Sequence, residues 1–115
     1  MDPCIFCKII NGEIASKIFY QDEDFIVIHD ISPKAPVHVL LMSVKHIESL
    51  QNVTEEDSEF LGKMMITVNK IARKLGIAES GYKVVINNGK GSGQMVFHLH
   101  LHILGGWKKL ENWKV

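Results

Sequence analysis

The 115-residue chain has no long apolar run, no excess of either charge, three prolines and only two cysteines, and most of these shortages remove a class of function. Its hydrophobic stretches are short and broken by charges, so none reads as a membrane span. Met1-Asp2-Pro3-Cys4 lacks the basic-then-apolar layout of a signal peptide, and the expected location is cytoplasmic. Thirteen basic residues offset thirteen acidic ones, which gives neither a basic groove for nucleic acid nor a patch for a membrane surface. The expected partner is therefore a small molecule. A chain of this length forms one domain, and by burying roughly two-thirds of its unfolded surface it folds without a disulfide framework. No repeat or low-complexity stretch divides it.

The two cysteines, Cys4 and Cys7, form a single Cys-x-x-Cys. In a reducing compartment that spacing points to metal ligands or a redox pair rather than a structural disulfide. A thioredoxin-type pair needs a strand ahead of it, and only three residues precede Cys4. Two thiolates are half of a tetrahedral zinc site, so a metal would draw two more ligands from elsewhere, with histidines the natural supply. The plainer alternative is two small buried thiols on a short amphipathic turn.

Histidine is what the chain concentrates. Three of its six lie in His98-Leu99-His100-Leu101-His102, inside the apolar run Val96 to Leu104. Strict alternation predicts a β-strand with the three imidazoles on one face and Leu99, Leu101 and Ile103 in a core on the other. Each buried imidazole needs a polar partner, and three in series are hard to satisfy without a ligand, a metal or one another. Same-face neighbours lie roughly 6.6 Å apart on a strand, and the outer two roughly 13 Å, so the three cannot share one ion. At most an adjacent pair could. The middle imidazole is then flanked by two others able to orient it or move protons, as a nucleophile near neutral pH requires.

The remaining elements follow from periodicity. Ile5, Phe6, Ile9 and Ile10 at helical spacing, stopped by Asn11-Gly12, predict a short helix that carries the cysteines. Ile18 to Gln21 and Phe25 to His29 read as a hairpin around Asp22-Glu23-Asp24. A loop with Pro33 and Pro36 follows, and Val37 to Val44 is apolar on both faces, which predicts a central strand and a buried His38. Thr54 as N-cap opens a long core helix whose stripe is Phe60, Leu61, Met64, Met65, Val68, Ile71, Ala72 and Leu75, ending at Gly76, with Lys63, Lys70, Arg73 and Lys74 solvated. Tyr82 to Asn87 and Val96 to Leu104 are the last strands. Their connector, Asn88 to Gln94, has glycine at 89, 91 and 93, and reads either as a cradle of backbone N–H groups for a phosphate or as an Asn-Gly hairpin loop. A P-loop is excluded, because no Gly-Lys-Ser/Thr follows and the next element is a strand.

The segment Gly93-Gln94-Met95-Val96-Phe97-His98-Leu99-His100-Leu101-His102-Ile103-Leu104-Gly105-Gly106 resembles the histidine triad nucleotide-binding proteins, in their purine nucleoside phosphoramidase branch. The resemblance extends to His29-Asp30-Ile31-Ser32-Pro33, Ala35-Pro36-Val37-His38 and Lys45-His46-Ile47, and so to nearly the whole length. It implies an α+β fold in which an antiparallel sheet of about five strands carries two helices, paired into a homodimer with a continuous sheet of about ten. It also implies that His100 attacks the α-phosphate of an adenosine phosphoramidate to form a nucleotidyl-imidazole that water hydrolyses. His102 would contact phosphate and assist the leaving amine, and His38 would support the nucleophile from behind.

By the same resemblance Asp30 accepts from the ribose hydroxyls, Ile31 lines the purine pocket, and Asn87 with the backbone of Gly93, Gln94, Met95 and Val96 holds the phosphate. The alternative for Asp30 is a carboxylate that only organises the proline loop. Relatives with an N-terminal Cys-x-x-Cys imply one structural zinc per chain on Cys4, Cys7, His46 and His98, and purine nucleoside monophosphates and their phosphoramidates as ligands. The chain departs from the pattern at Met95, where many relatives place a serine able to donate near the scissile phosphate, and in its tail from Trp107 to Val115, which lacks a Trp-Pro-Pro ending. A dinucleoside polyphosphate hydrolase, a non-catalytic nucleotide-binding partner and a zinc hydrolase using a His-x-His pair are the competing readings.

Overall fold

The computed structural model describes residues 4–110 and Trp113; Met1 to Pro3, on which the signal-peptide reading falls, and Glu111, Asn112, Lys114 and Val115 of the tail lie outside the described residues. Helix α1 (Ile5–Ile10) precedes the hairpin β1 (Ile18–Gln21) and β2 (Phe25–His29), then β3 (Val37–Ser43), helix α2 (Ser58–Lys74), β4 (Tyr82–Val85) and β5 (His100–Gly105). The strands form one antiparallel sheet in the order β1-β2-β3-β5-β4. This is the expected α+β arrangement of five strands and two helices.

Strand β3 is central and apolar on both faces because both are covered. Val39 and Leu41 join Leu99, Leu101 and Ile103 of the histidine segment in a core closed by Met64, Val68 and Ile71 of α2. Leu40 and Met42, one residue out of phase, join Ile26 and Ile28 in a second cluster closed by Cys4, Phe6 and Ile9 of α1. Leu101 and Ile103 are 0 % exposed, and full burial of each contributes roughly 1.5–3 kcal/mol. Since β5 alternates, the residues that precede each of them, His100 and His102, lie on the α1 face opposite Met42 and Leu40.

Several boundaries differ from the sequence expectation. Strand β5 begins at His100 rather than Val96, and residues 96–98 run as a bend that Leu99 joins to the strand. Loop contacts take over there: the Leu99 N–H donates to the Ile47 carbonyl at 2.6 Å, and the Gln94 side-chain amide donates to the Val96 carbonyl at 3.0 Å. Strand β4 stops at Val85 because its ladder with β5 ends at the Val85–His102 pair, so Ile86 and Asn87 run past the sheet. Thr54 caps a 3-10 turn, Glu55–Asp57, that leads into α2, with Asp57 returning a bond to the Thr54 N–H. Met65 leaves the core stripe and is 47 % exposed, because one step from the buried Met64 turns it about 100° round the helix. The C-terminal stop holds: Gly76 takes φ +75 after the last turn.

Candidate functional site

Two clusters of chemistry-bearing side chains meet on the α1 face, and they share the histidine segment. The first brings together Cys4, Cys7, His46 and His98, whose ligand atoms all lie within 4.8 Å of one another. Cys4 Sγ is 3.3 Å and Cys7 Sγ 3.6 Å from His98 Nδ1; His46 Nδ1 is 3.2 Å from both Cys7 Sγ and His98 Nδ1. Tetrahedral ligands at zinc bond lengths stand roughly 3.3–3.8 Å apart, so these four fit one zinc. The tautomer fits as well. His98 Nε2 donates to the Ser43 carbonyl at 2.6 Å, which leaves Nδ1 with a lone pair directed at the cluster and fixes the ring from outside, as metal-bound imidazoles are commonly fixed. With four protein donors such a centre has no open position for a substrate.

The second cluster contains the other two histidines of the run. His100 is 8 % exposed, and its Nδ1 donates to the His98 carbonyl at 2.6 Å, so the proton sits on Nδ1 and the lone pair on Nε2. For His38 the partner is a donor: the Lys34 backbone N–H points at Nδ1 at 3.0 Å. His38 therefore carries its proton on Nε2 and donates it to His102 Nδ1 at 3.0 Å, which leaves His102 with a free N–H on its own Nε2. A chain of donors thus runs from Lys34 through His38 to His102.

Asp30 completes the group. Its Oδ1 accepts the Ser32 N–H at 2.7 Å, so the loop-organising role foreseen for it is present, while its Oδ2 lies 3.4 Å from His38 Nε2. Burial pushes His38 below the ordinary imidazole value against the pull of the Asp30 carboxylate, so at neutral pH this contact is a weak shared hydrogen bond rather than an ion pair. Asp30, His38 and His102 also have metal-ligand spacing. The tautomer argues against an ion there, because a metal on His38 Nε2 would need the lone pair that the Lys34 N–H forces onto Nδ1.

All three of these imidazoles are neutral at pH 7. Burial lowers His100, outweighing the hydrogen bond to the His98 carbonyl, and it takes His102 to about 4, with the neighbouring His100 and His38 adding to the shift. A histidine held neutral in the fold binds fewer protons than in the unfolded chain, so stability is full above the unfolded value and is lost as pH falls from roughly 6.5 through the folded value. Urea midpoints should therefore drop between pH 7.5 and pH 5, and His102→Gln should flatten that dependence. An unchanged slope in the variant would place the lost protons elsewhere.

A cavity of about 220 Å³ opens beside this chain, lined by Asp30, Lys34, His38, Val85, Asn87, His102 and Leu104. Four of the expected site residues thus share one surface. Ile31 is 96 % and Met95 87 % exposed, and with Gly93 they stand on loops outside the cavity lining. Gln94 is buried and spans its loop, accepting from the Gly89 N–H at 2.7 Å and donating to the Glu48 carbonyl at 2.7 Å; Val96 packs against the α1 cluster. A larger cavity, about 600 Å³, lies between the tail and Ser80 to Lys83; it contains no histidine and no carboxylate among its described lining residues.

Phe6 and the Lys34 N–H were not foreseen. A periodic apolar residue signals only a core, and a backbone donor has no side-chain signature.

The match to a family model, described as the HIT domain, covers residues 11–109. Protein HitA of Neisseria gonorrhoeae is 48% identical over 105 residues, spanning 91% of this chain and 97% of that protein. Among solved structures, a HIT family hydrolase from Legionella pneumophila is 40% identical with TM-score 0.90, covering 96% of this chain and 97% of its own. Another from Clostridium thermocellum is 45% identical with TM-score 0.90 and 97% coverage of both chains. With the model spanning most of its length and two neutral imidazoles set side by side on β5, this chain belongs to the HIT domain family.

Proposed function

We propose that the protein is a nucleotide-binding hydrolase that cleaves adenosine 5′-phosphoramidates through a nucleotidyl intermediate on His100. The observation that carries this reading is the tautomer of His100: its Nδ1–H is spent on the His98 carbonyl, so the neutral ring offers Nε2 as a lone pair. That nitrogen attacks the α-phosphorus as the P–N bond to the amine breaks. His102 directs its free Nε2–H at the leaving nitrogen, which departs as the amine with a net proton drawn from solvent, while the His38 Nε2–H holds His102 in that tautomer within the same relay of hydrogen bonds. Water then attacks the phosphorus, the P–N bond to His100 breaks to return the neutral ring, AMP leaves, and the proton lost by the water goes back to solvent.

The relatives described as HIT family hydrolases support hydrolysis over binding alone. When zinc is bound at Cys4, Cys7, His46 and His98, it supplies structural cross-linking, and the same residue, His98, then serves both the metal and the nucleophile. A homodimer is part of the proposal: β4 is an edge strand with Val84 38 % exposed, and Met65 and Ile66 of α2 are 47 % and 71 % exposed. The proposed location is the cytoplasm; no helix among the described residues is long and apolar enough to cross a membrane.

Rapid quenching with an adenosine phosphoramidate tests the reading, and adenylate should be recovered on the peptide containing residues 98–102. Side-by-side product analysis with an aminoacyl-adenylate and diadenosine tetraphosphate would move the assignment to the polyphosphate branch if only the last were cleaved. Asp30 is read as the ribose contact. Asp30→Ala should weaken ribonucleotides by roughly 1–3 kcal/mol, the scale of a hydrogen bond to a charged group, and 2′-deoxynucleotides by much less. Equal losses for both sugars would leave Asp30 with its Ser32 turn alone.

A further inference from the structure

One hydrogen bond does not hold an imidazole still. His100 is tied at Nδ1 to the His98 carbonyl, and a ring held at a single point can rock about that bond. Two neighbouring rings limit the motion. His102 lies on one side with centroids 5.2 Å apart at 59°; Phe6 stands perpendicular, 4.9 Å away at 90°. Phe6 also meets His98 at 5.9 Å and 71°, so one buried phenyl touches both the proposed nucleophile and the residue that anchors it.

The placement of Phe6 does not come from α1 by itself. A six-residue helix is far too short to persist alone, and this one is fastened at Cys4 and Cys7, the residues on either side of Phe6. Cys4 Sγ even serves as the N-cap, accepting the Cys7 N–H at 3.4 Å. The four-donor cluster thus clamps the turn that presents the phenyl to His100.

We infer that Phe6 is a positioning residue for His100, holding the imidazole at the angle from which Nε2 attacks, and that the Cys4/Cys7/His46/His98 centre acts on turnover through it. The inference rests on the nucleophile reading above, because a positioning residue needs a reacting group to position. An edge-to-face ring pair has a preferred geometry that an aliphatic side chain of similar bulk does not reproduce. Phe6→Leu should therefore loosen the ring of His100 while leaving it buried.

The test uses the protein as isolated with its metal, and the variants Phe6→Leu, Phe6→Met and Phe6→Tyr. In ¹⁵N spectra of the imidazoles, wild-type His100 should show a single Nδ1–H tautomer. The Leu and Met variants should average between two, with His98 unchanged and zinc content constant. At saturating phosphoramidate the adenylylation rate should fall about tenfold in both, a cost typical of slight misplacement, and recover in Phe6→Tyr. An unaltered His100 spectrum together with an unaltered saturating rate in Leu or Met would overturn the inference, whatever happened to substrate affinity. If wild-type protein never carried adenylate on residues 98–102, the nucleophile reading would fail, while the spectra would still report whether Phe6 holds the ring.

Discussion

His100→Ala should lower phosphoramidate turnover by roughly a thousandfold or more while AMP affinity stays within about tenfold, because the variant loses the atom that bonds to phosphorus but none of the cavity lining. The contrast between the two readouts carries the assignment. His100 lies on β5 with its Cβ side against the α1 cluster, and alanine there leaves Met42 and Leu101 in place, so the fold should survive with a small cavity. Retained turnover would move the covalent step to another group, His102 being the nearest. Equal losses in turnover and affinity would mean that His100 only shapes the pocket.

Replacing Cys4 and Cys7 together by serine should remove about one zinc per chain and lower the melting temperature. The effect on stability should remain well below the roughly 10–16 kcal/mol apparent binding energy of isolated finger peptides, because the metal ties one short helix to a sheet that has its own core. Turnover by the folded fraction should persist, reduced by no more than the loss of Phe6 costs, since a closed four-ligand centre has no place for substrate. Catalysis abolished by chelation with fold and AMP affinity intact, and restored by added zinc, would replace the histidine nucleophile with a metal hydrolase.

Much of this arrangement was legible in the sequence because it obeys short-range rules. The two-residue period of β5 sorted Leu101 and Ile103 from His100 and His102 correctly, and the three-four spacing along α2 found Met64, Val68 and Ile71. Apart from the exposed Met65 and the 3-10 turn that opens α2, what failed were the ends of β4 and β5, which distant partners set. The run from Val96 to Leu99 has strand composition, yet its hydrogen bonds go to Ile47 and Gln94, residues that periodicity cannot reach. The same limit applies to the site. Histidines can be counted from the chain, but which nitrogen of each is protonated depends on main-chain groups that leave no side-chain signal: the His98 carbonyl two residues from His100, the Lys34 amide four residues from His38, and the Ser43 carbonyl, which is brought to His98 only by the fold.

The amide at position 34 has a consequence for variation. Because the group that sets the His38 tautomer belongs to the main chain, every residue except proline offers it equally, and the Lys34 side chain, exposed at the cavity rim, is released from that duty. A population of descendants could exchange this rim residue for one of another size or sign and so meet new substrates, while the direction of every proton in the relay was inherited unchanged. Selectivity and proton direction are in this respect separately heritable.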